Sequence, residues 1–195
     1  MIRDEIPLST LLVLSWKKQL SFALLIFERM LPSLITFSKD NARDASCYFK
    51  GRDIAWDILR NGGKGTAARS LNEECLKNAP HTEEFTHELT SCALNAALTM
   101  SDILEFTEDR LGDHITYIST LATDSLYLYL HGLDPVLLSN PDREERLAAH
   151  PLMQQELRRQ EEDIKFLSAL PDHFDNEIIS TLRARTALQP PMLPV

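Results

Sequence analysis

Between Glu88 and Asp102 the chain carries thirteen consecutive residues without a charge, Leu89-Thr-Ser-Cys-Ala-Leu-Asn-Ala-Ala-Leu-Thr-Met-Ser101. Most are small or apolar, and neither proline nor glycine appears from Thr82 until Gly112. Nothing therefore interrupts a helix of about 40 Å at 1.5 Å rise per residue. A surface helix is polar over half its circumference, so a helix uncharged on every side belongs inside a fold. The expectation is a central helix over Thr82–Leu111, capped by Thr82, with Glu83 and Glu84 favouring its positive end. Gly112 ends it, and Asp113 directly offers the next N-cap. That tight connection predicts an antiparallel hairpin with a helix over Asp113–His131.

The remaining pattern is helical throughout. Leu20, Ala23, Leu24, Phe27 and Leu31 form a stripe at helical spacing after Ser15-Trp16, and Pro32 is expected to stop or kink that helix. Further helices are read at about Asp44–Arg60, Thr66–Asn78 and from Pro151, and Asp172 is placed to cap a last one. The alternation Leu126-Tyr-Leu-Tyr-Leu130 resembles a strand, but its upstream pattern is helical and no partner strand is in sight. With only 6 glycines in 195 residues, the fold class is all-α, a multi-helix bundle. Residues 1–188 read as one helical domain, and 189–195 as a proline-rich tail, extended or frayed.

Charge narrows the partners. The net charge is −9, divided as +3 over residues 1–80 and −12 over the rest. An acidic second half repels phosphate backbones, and the basic residues of the first half form no run, so nucleic acid is disfavoured. The three cysteines, Cys47, Cys75 and Cys92, have no Cys-x-x-Cys spacing and suit a reducing compartment. The apolar run Leu20–Phe27 is far short of the ~20 residues that span a bilayer. A cytoplasmic protein without a membrane segment is the expectation.

The motifs that suggest chemistry are incomplete. Gly62-Gly-Lys-Gly65 lacks the first glycine and the hydroxyl residue of a phosphate loop, and reads as a flexible loop. Glu84-x-x-His87 has half of a di-iron pattern, without a second copy. No nucleophile–base pair is readable, no cofactor is specified, and no metal ligand set is assigned. The six histidines fall on helix ends and loops and read as solvated. Asp102, Glu105 and Asp109 share one helix face. Crowded carboxylates raise one another's pKa or recruit a cation, although an end of the helix emerging into solvent is the simpler account.

Two sets of residues stand out. Glu28 and Arg29 follow an apolar run, and a charge buried there must be paired. With Asn95 and Asp102 they form a candidate ligand or cation site between the second and central helices. Met153, Leu157, Gln160, Ile164 and Leu167 form a narrow seam at coiled-coil spacing, a candidate interface for a homodimer. Of the two, association without catalysis is the preferred reading, and a small-molecule or cation site is the alternative.

Trp16, Phe22, Glu28-Arg29-Met30-x-Pro32, Phe37 and Asp53-x-x-Trp56 resemble the YjaG family, a bacterial group catalogued as a domain of unknown function (DUF416). The likeness continues through Ala93–Asp102, through Pro151, Gln155-Glu156 and Phe166-Leu167, and to Leu182-Arg183. It implies a single all-helical domain in a bacterial cytoplasm, and no established activity, cofactor or partner. This chain departs from the family pattern in having Ser33 after Pro32 and Asn95 where the family has an acidic residue. An acid–base role at position 95 would be lost with that charge.

Overall fold

The computed structural model describes residues 8–65, 68–133 and 141–194. Among them are nine α-helices and no strand. The start of the fourth helix expected at Thr66, and residues 134–140, lie outside the described residues.

The centre is shared by two helices rather than held by one. The first is α2, Trp16–Asp40. Its residues Leu20 and Phe22–Phe27 are all completely buried, because other helices pack against every side of it. By length and apolar composition α2 could cross a membrane, but 78% of that apolar window is buried within the fold. Pro32 neither stops nor splits it. A proline costs an interior helix one hydrogen bond, and here Leu31, Ser33 and Leu34 around it are all buried in packing contacts that hold the turn. The carbonyl of Arg29, one turn upstream, accepts the backbone N–H of Met192 at 3.0 Å.

The second central helix is α5, Thr90–Asp109. It starts at Thr90 and not at the expected Thr82, because the residues before it are drawn into a turn of their own. The ring of Phe85 stacks edge-on against Phe37 of α2, 5.2 Å between centroids, and His87 does the same at 5.7 Å. The carbonyl of His87 then accepts both the N–H (3.0 Å) and the hydroxyl (2.7 Å) of Thr90. Ala93, Ala96 and Ala97 are buried to within 1%, and small side chains let the neighbouring helices approach closely. Gly51, in the middle of α3 (Ser46–Asn61), has the same reason: a Cβ there would lie 2.7 Å from the Met100 sulfur.

After α4, Ala68–Asn78, and α5, the chain reverses through Arg110, which takes a left-handed conformation (φ 64°), into α6, Gly112–Leu133. This is the expected antiparallel hairpin, and Leu126–Leu130 is helical within it. The Gly62–Gly65 loop is tied down: Arg110 donates to the Gly63 carbonyl at 2.6 Å, and Gly65 N–H donates to the Thr107 carbonyl at 3.2 Å.

Short helices α1 (Leu8–Leu12) and α7 (Arg143–Ala148) precede α2 and α8, respectively. Helix α8, Pro151–Ala169, begins as expected with Pro151 in the first position and His150 as its cap. Helix α9, Asn176–Leu188, is capped by Asp175 rather than Asp172. Asp172 pairs instead with Lys18 at 3.2 Å. The tail does not fray: Met192 and Leu193 are buried to 3% and 2%.

Candidate metal centre

The hairpin turn builds a cluster of charged side chains. Asp102, Glu105 and Asp109 project from one face of α5, and His114 lies in the first turn of α6, a few residues beyond Arg110. Its Nδ1 is 2.8 Å from Asp102 Oδ1 and 3.8 Å from Glu105 Oε2, while its Nε2 is 3.1 Å from Asp109 Oδ2. Asp109 also accepts the N–H of Leu111 at 2.9 Å, which fixes the turn that carries the histidine. The cluster grades from interior to surface, with Asp102 and His114 largely buried and Glu105 and Asp109 half exposed.

Burial sets the titration of the inner pair. It raises the Asp102 carboxyl above the usual carboxylate range, against the pull of His114. It also opposes the imidazolium of His114, but hydrogen bonds to Asp102 and Asp109 outweigh that and hold its pKa above the ordinary value. At Asp109 a slight burial is outweighed by the Leu111 N–H and by His114, so its carboxyl is lowered. The cluster therefore holds a proton on the imidazole when nothing else neutralises the carboxylates.

Helix α4 supplies the next layer. Asn72 is buried, and its Nδ2 donates to Glu105 Oε1 at 3.1 Å. Its carbonyl oxygen Oδ1 is buried without a hydrogen-bond partner among the described residues. A buried carbonyl left so costs about 1–3 kcal/mol and calls for a reason. Between α4 and the last turns of α5 lies a groove of about 340 Å³, lined by Arg69, Asn72, Leu104, Glu105, Glu108 and Asp109 among others. Glu105 thus faces the histidine on one side and the groove on the other.

The four residues expected to form one site have separate partners, and no hydrogen bond joins any two of them among the described residues. Glu28 accepts the indole N–H of Trp56 at 3.1 Å and lies 3.9 Å from Arg52. Arg29 is buried in a network of its own, bonded to Glu156, Asp163 and Gln189. Asn95 donates to the Ser125 hydroxyl at 3.2 Å, the interhelix bond expected of a core amide. Only Asp102 belongs to the cluster.

The seam of α8 also has its partners inside the chain. Met153, Gln160, Ile164 and Leu167 are buried and Leu157 is half-buried, with α8 packed on α2 and α6. Gln160 accepts from Ser119 at 2.7 Å and donates to Glu156 at 3.1 Å. Four of the five residues of the stripe thus belong to the core of this chain. Glu156 and Asp163 on that helix were missed, because their partner Arg29 is remote in sequence. Glu156, Gln160 and Asp163 repeat at i, i+4 and i+7, a buried polar line that periodicity could have flagged. His114 was missed because its partners come from across the turn. Folding the predicted hairpin on paper sets Asp109 and His114 on either side of Gly112.

Comparison with known proteins gives a family and a fold. Residues 8–189 match the family model DUF416, described as a protein of unknown function. A crystal structure of a DUF416 family protein from Shewanella baltica OS155 is similar with a TM-score of 0.83 at 19% identity, covering 93% of each chain. Among curated proteins there is no match.

Proposed function

The chain belongs to the DUF416 family of proteins of unknown function, and we propose that it binds a divalent metal cation at the turn of the α5–α6 hairpin. The observation that supports this reading is geometric. Asp102, Glu105 and His114 each offer one ligand atom, and those atoms all lie within 4.8 Å of one another. Two carboxylates and one imidazole nitrogen suit Mn²⁺, Fe²⁺ or Zn²⁺, whereas Ca²⁺ and Mg²⁺ prefer all-oxygen sites.

The surrounding residues have roles that fit. Asp109 accepts the Nε2–H, which selects the neutral tautomer whose Nδ1 lone pair points between Asp102 and Glu105. Asn72 orients Glu105 through its Nδ2 hydrogen bond. Three protein ligands leave coordination positions open to water or to a small molecule entering from the groove. Proton and cation compete for Nδ1 of His114, so affinity rises as the imidazolium deprotonates.

Isothermal titration calorimetry with Mn²⁺ and Zn²⁺ tests the proposal. One cation per chain is expected for the wild type. Asp102→Asn and His114→Gln each abolish saturable binding, and Asp109→Asn weakens it by about 10-fold, as loss of an outer hydrogen bond does at other metal sites. A wild type that shows no saturable heat with either ion, or variants that bind as tightly as it does, would overturn the reading.

A further inference from the structure

The groove between α4 and the last turns of α5 holds charge that the fold does not use. Arg69 and Asn72 line it from α4, and Glu105, Glu108 and Asp109 line it from α5. Three carboxylates against one guanidinium leave the lining with an excess of two negative charges. His114 draws on Glu105 and Asp109 from the far side. Glu108 and Arg69, on opposite walls, make no ion pair or hydrogen bond among the described residues. The groove therefore does not neutralise itself.

Asn72 adds an acceptor to this lining. It is buried to 9% exposure, and Glu105 settles its orientation. An ionised carboxylate only accepts, so the amide nitrogen is the end that faces it. The carbonyl end, Oδ1, is thereby the one left buried without a partner. Helical side chains lean toward the N-terminus, so this amide leans toward the turn of Ala68 and Arg69, both in the groove wall. A donor entering the groove would satisfy it. The lining does not suit a single inorganic ion. Asp102, Glu105 and His114 bring their ligand atoms within 4.8 Å of one another, whereas Glu108 joins no such group among the described residues. The negative charge is instead spread lengthwise, since Glu105 and Asp109 are separated by about 6 Å of helix rise.

We propose that the groove binds a short aliphatic diamine as its dication, one ammonium at Asn72 Oδ1 and Glu105 and the other at Glu108 and Asp109. The two positive charges match the excess of the lining. The rise between Glu105 and Asp109 is close to the separation of the nitrogens in an extended four-carbon diamine. Each ammonium brings three N–H donors, enough for the orphaned amide oxygen and for carboxylates beside it. A cavity of about 340 Å³ is at the small end for ligand sites, which favours a short chain. Oδ1 is closed to bulk water, so the ammonium reaches it by displacing the exposed side chain of Arg69. Glu105 serves both neighbours, with Oε1 toward Asn72 and Oε2 toward His114. The diamine site therefore does not depend on a metal cation at His114.

The test is an NMR titration of the metal-free protein, kept in EDTA at fixed ionic strength, with α,ω-diaminobutane. Saturable shifts are expected, confined to the amides of residues 68–72 and 104–109 that line the groove. Butylamine has one charge, and the doubly quaternary, permethylated diamine has two charges but no N–H. Each should bind about 10-fold more weakly or worse, as expected when hydrogen bonds to charged groups are lost. Asn72→Ala and Glu108→Gln should weaken the diamine by a similar factor, and Arg69→Ala should tighten it. His114→Gln should retain the diamine whether or not the wild type binds Zn²⁺, so the two sites stand or fall separately. The ligand series on the wild type needs no variant. Absence of saturable shifts, shifts scattered over other acidic surfaces, a permethylated diamine bound as tightly, or loss of the diamine in His114→Gln would each overturn the proposal.

Discussion

Arg29 of α2 holds Glu156 of α8 by two parallel hydrogen bonds, Nε to Oε2 at 3.0 Å and Nη2 to Oε1 at 2.7 Å. The remaining nitrogen, Nη1, bonds Asp163 Oδ2 at 2.7 Å and Gln189 Oε1 at 2.9 Å. One guanidinium therefore joins α2, α8 and the residue that follows α9. Asp163 is further held by Arg185 (2.7 Å) and by Gln189 (3.2 Å), and Glu156 by Gln160. Buried ion pairs return little net stability when compared with apolar replacements, but removal of one partner leaves the other charge stranded. Arg29→Met should accordingly destabilise by about 3–5 kcal/mol in urea unfolding. The double variant Arg29→Met/Glu156→Met should recover part of that loss. If the two single costs simply add, the pair is not coupled.

That network marks how far the sequence could be read. A charge at Arg29 after an apolar run states that a partner is needed, but Glu156 and Asp163 lie 127 and 134 residues away. Periodicity fares similarly at Met153–Leu167: it reports correctly that a stripe is buried, and carries no information on whether the covering surface belongs to the same chain. The uncharged helix and the Pro151 helix start are local signals, and each is found in place; the hairpin is also found, but it turns at Arg110, and Gly112 is the first residue of α6 rather than the end of α5. Thr82 as a cap was displaced by Phe85 stacking on Phe37, a contact between residues far apart in sequence. The shared face of Asp102, Glu105 and Asp109 was legible from spacing alone, whereas the histidine that completes it required the hairpin.

Gly51 exchanges helix propensity for proximity. An alanine in the same place would gain about 1 kcal/mol as a helix former. Its Cβ would meet the Met100 sulfur at 2.7 Å and Cγ at 3.1 Å, and overpacking of that kind costs about 1–3 kcal/mol. Gly51→Ala should therefore lower the melting temperature. In a Met100→Ala background, where the obstruction is gone, the same substitution should raise it. A loss of equal size in both backgrounds would place the strain elsewhere.

The last residues act as a strap. Gln189 bonds both Arg29 and Asp163, Met192 N–H bonds the Arg29 carbonyl, and the Pro190 carbonyl accepts from Arg159 at 3.3 Å. Deletion of residues 189–195 would expose Met192's and Leu193's contacts and leave the Arg29 network open to water. Fully burying side chains of that size is worth about 1.5–3 kcal/mol each, so the truncated chain should lose at least about 3 kcal/mol of stability by denaturant titration. Gln189→Ala alone should lose about 1.5–3 kcal/mol, in keeping with the loss of half-buried hydrogen bonds to two charged groups. A truncated chain as stable as the full one would show that the tail docks without contributing.

His114 gives the α5–α6 turn opposite pH responses with and without a cation. Its pKa in the fold is above the ordinary value, so the imidazolium contributes stability that is fully present below about pH 6.5 and is lost as pH rises through the raised value. Asp102, raised by burial, follows the same direction, since its stabilising form is the protonated one. Asp109, lowered, contributes above the ordinary carboxylate pKa and loses that contribution as pH falls through its folded value. His114→Gln should therefore destabilise the metal-free protein more at about pH 5.5 than at pH 8. Asp102→Asn should move the His114 titration, followed by NMR of the imidazole protons, to lower pH, because the burial that opposes the charge remains while its carboxylate partner is gone. Added Zn²⁺ should do the reverse of the proton, raising the melting temperature at pH 8 and scarcely at pH 5.5, where the imidazolium excludes it. A Zn²⁺ shift of equal size at both pH values would place the cation somewhere other than His114.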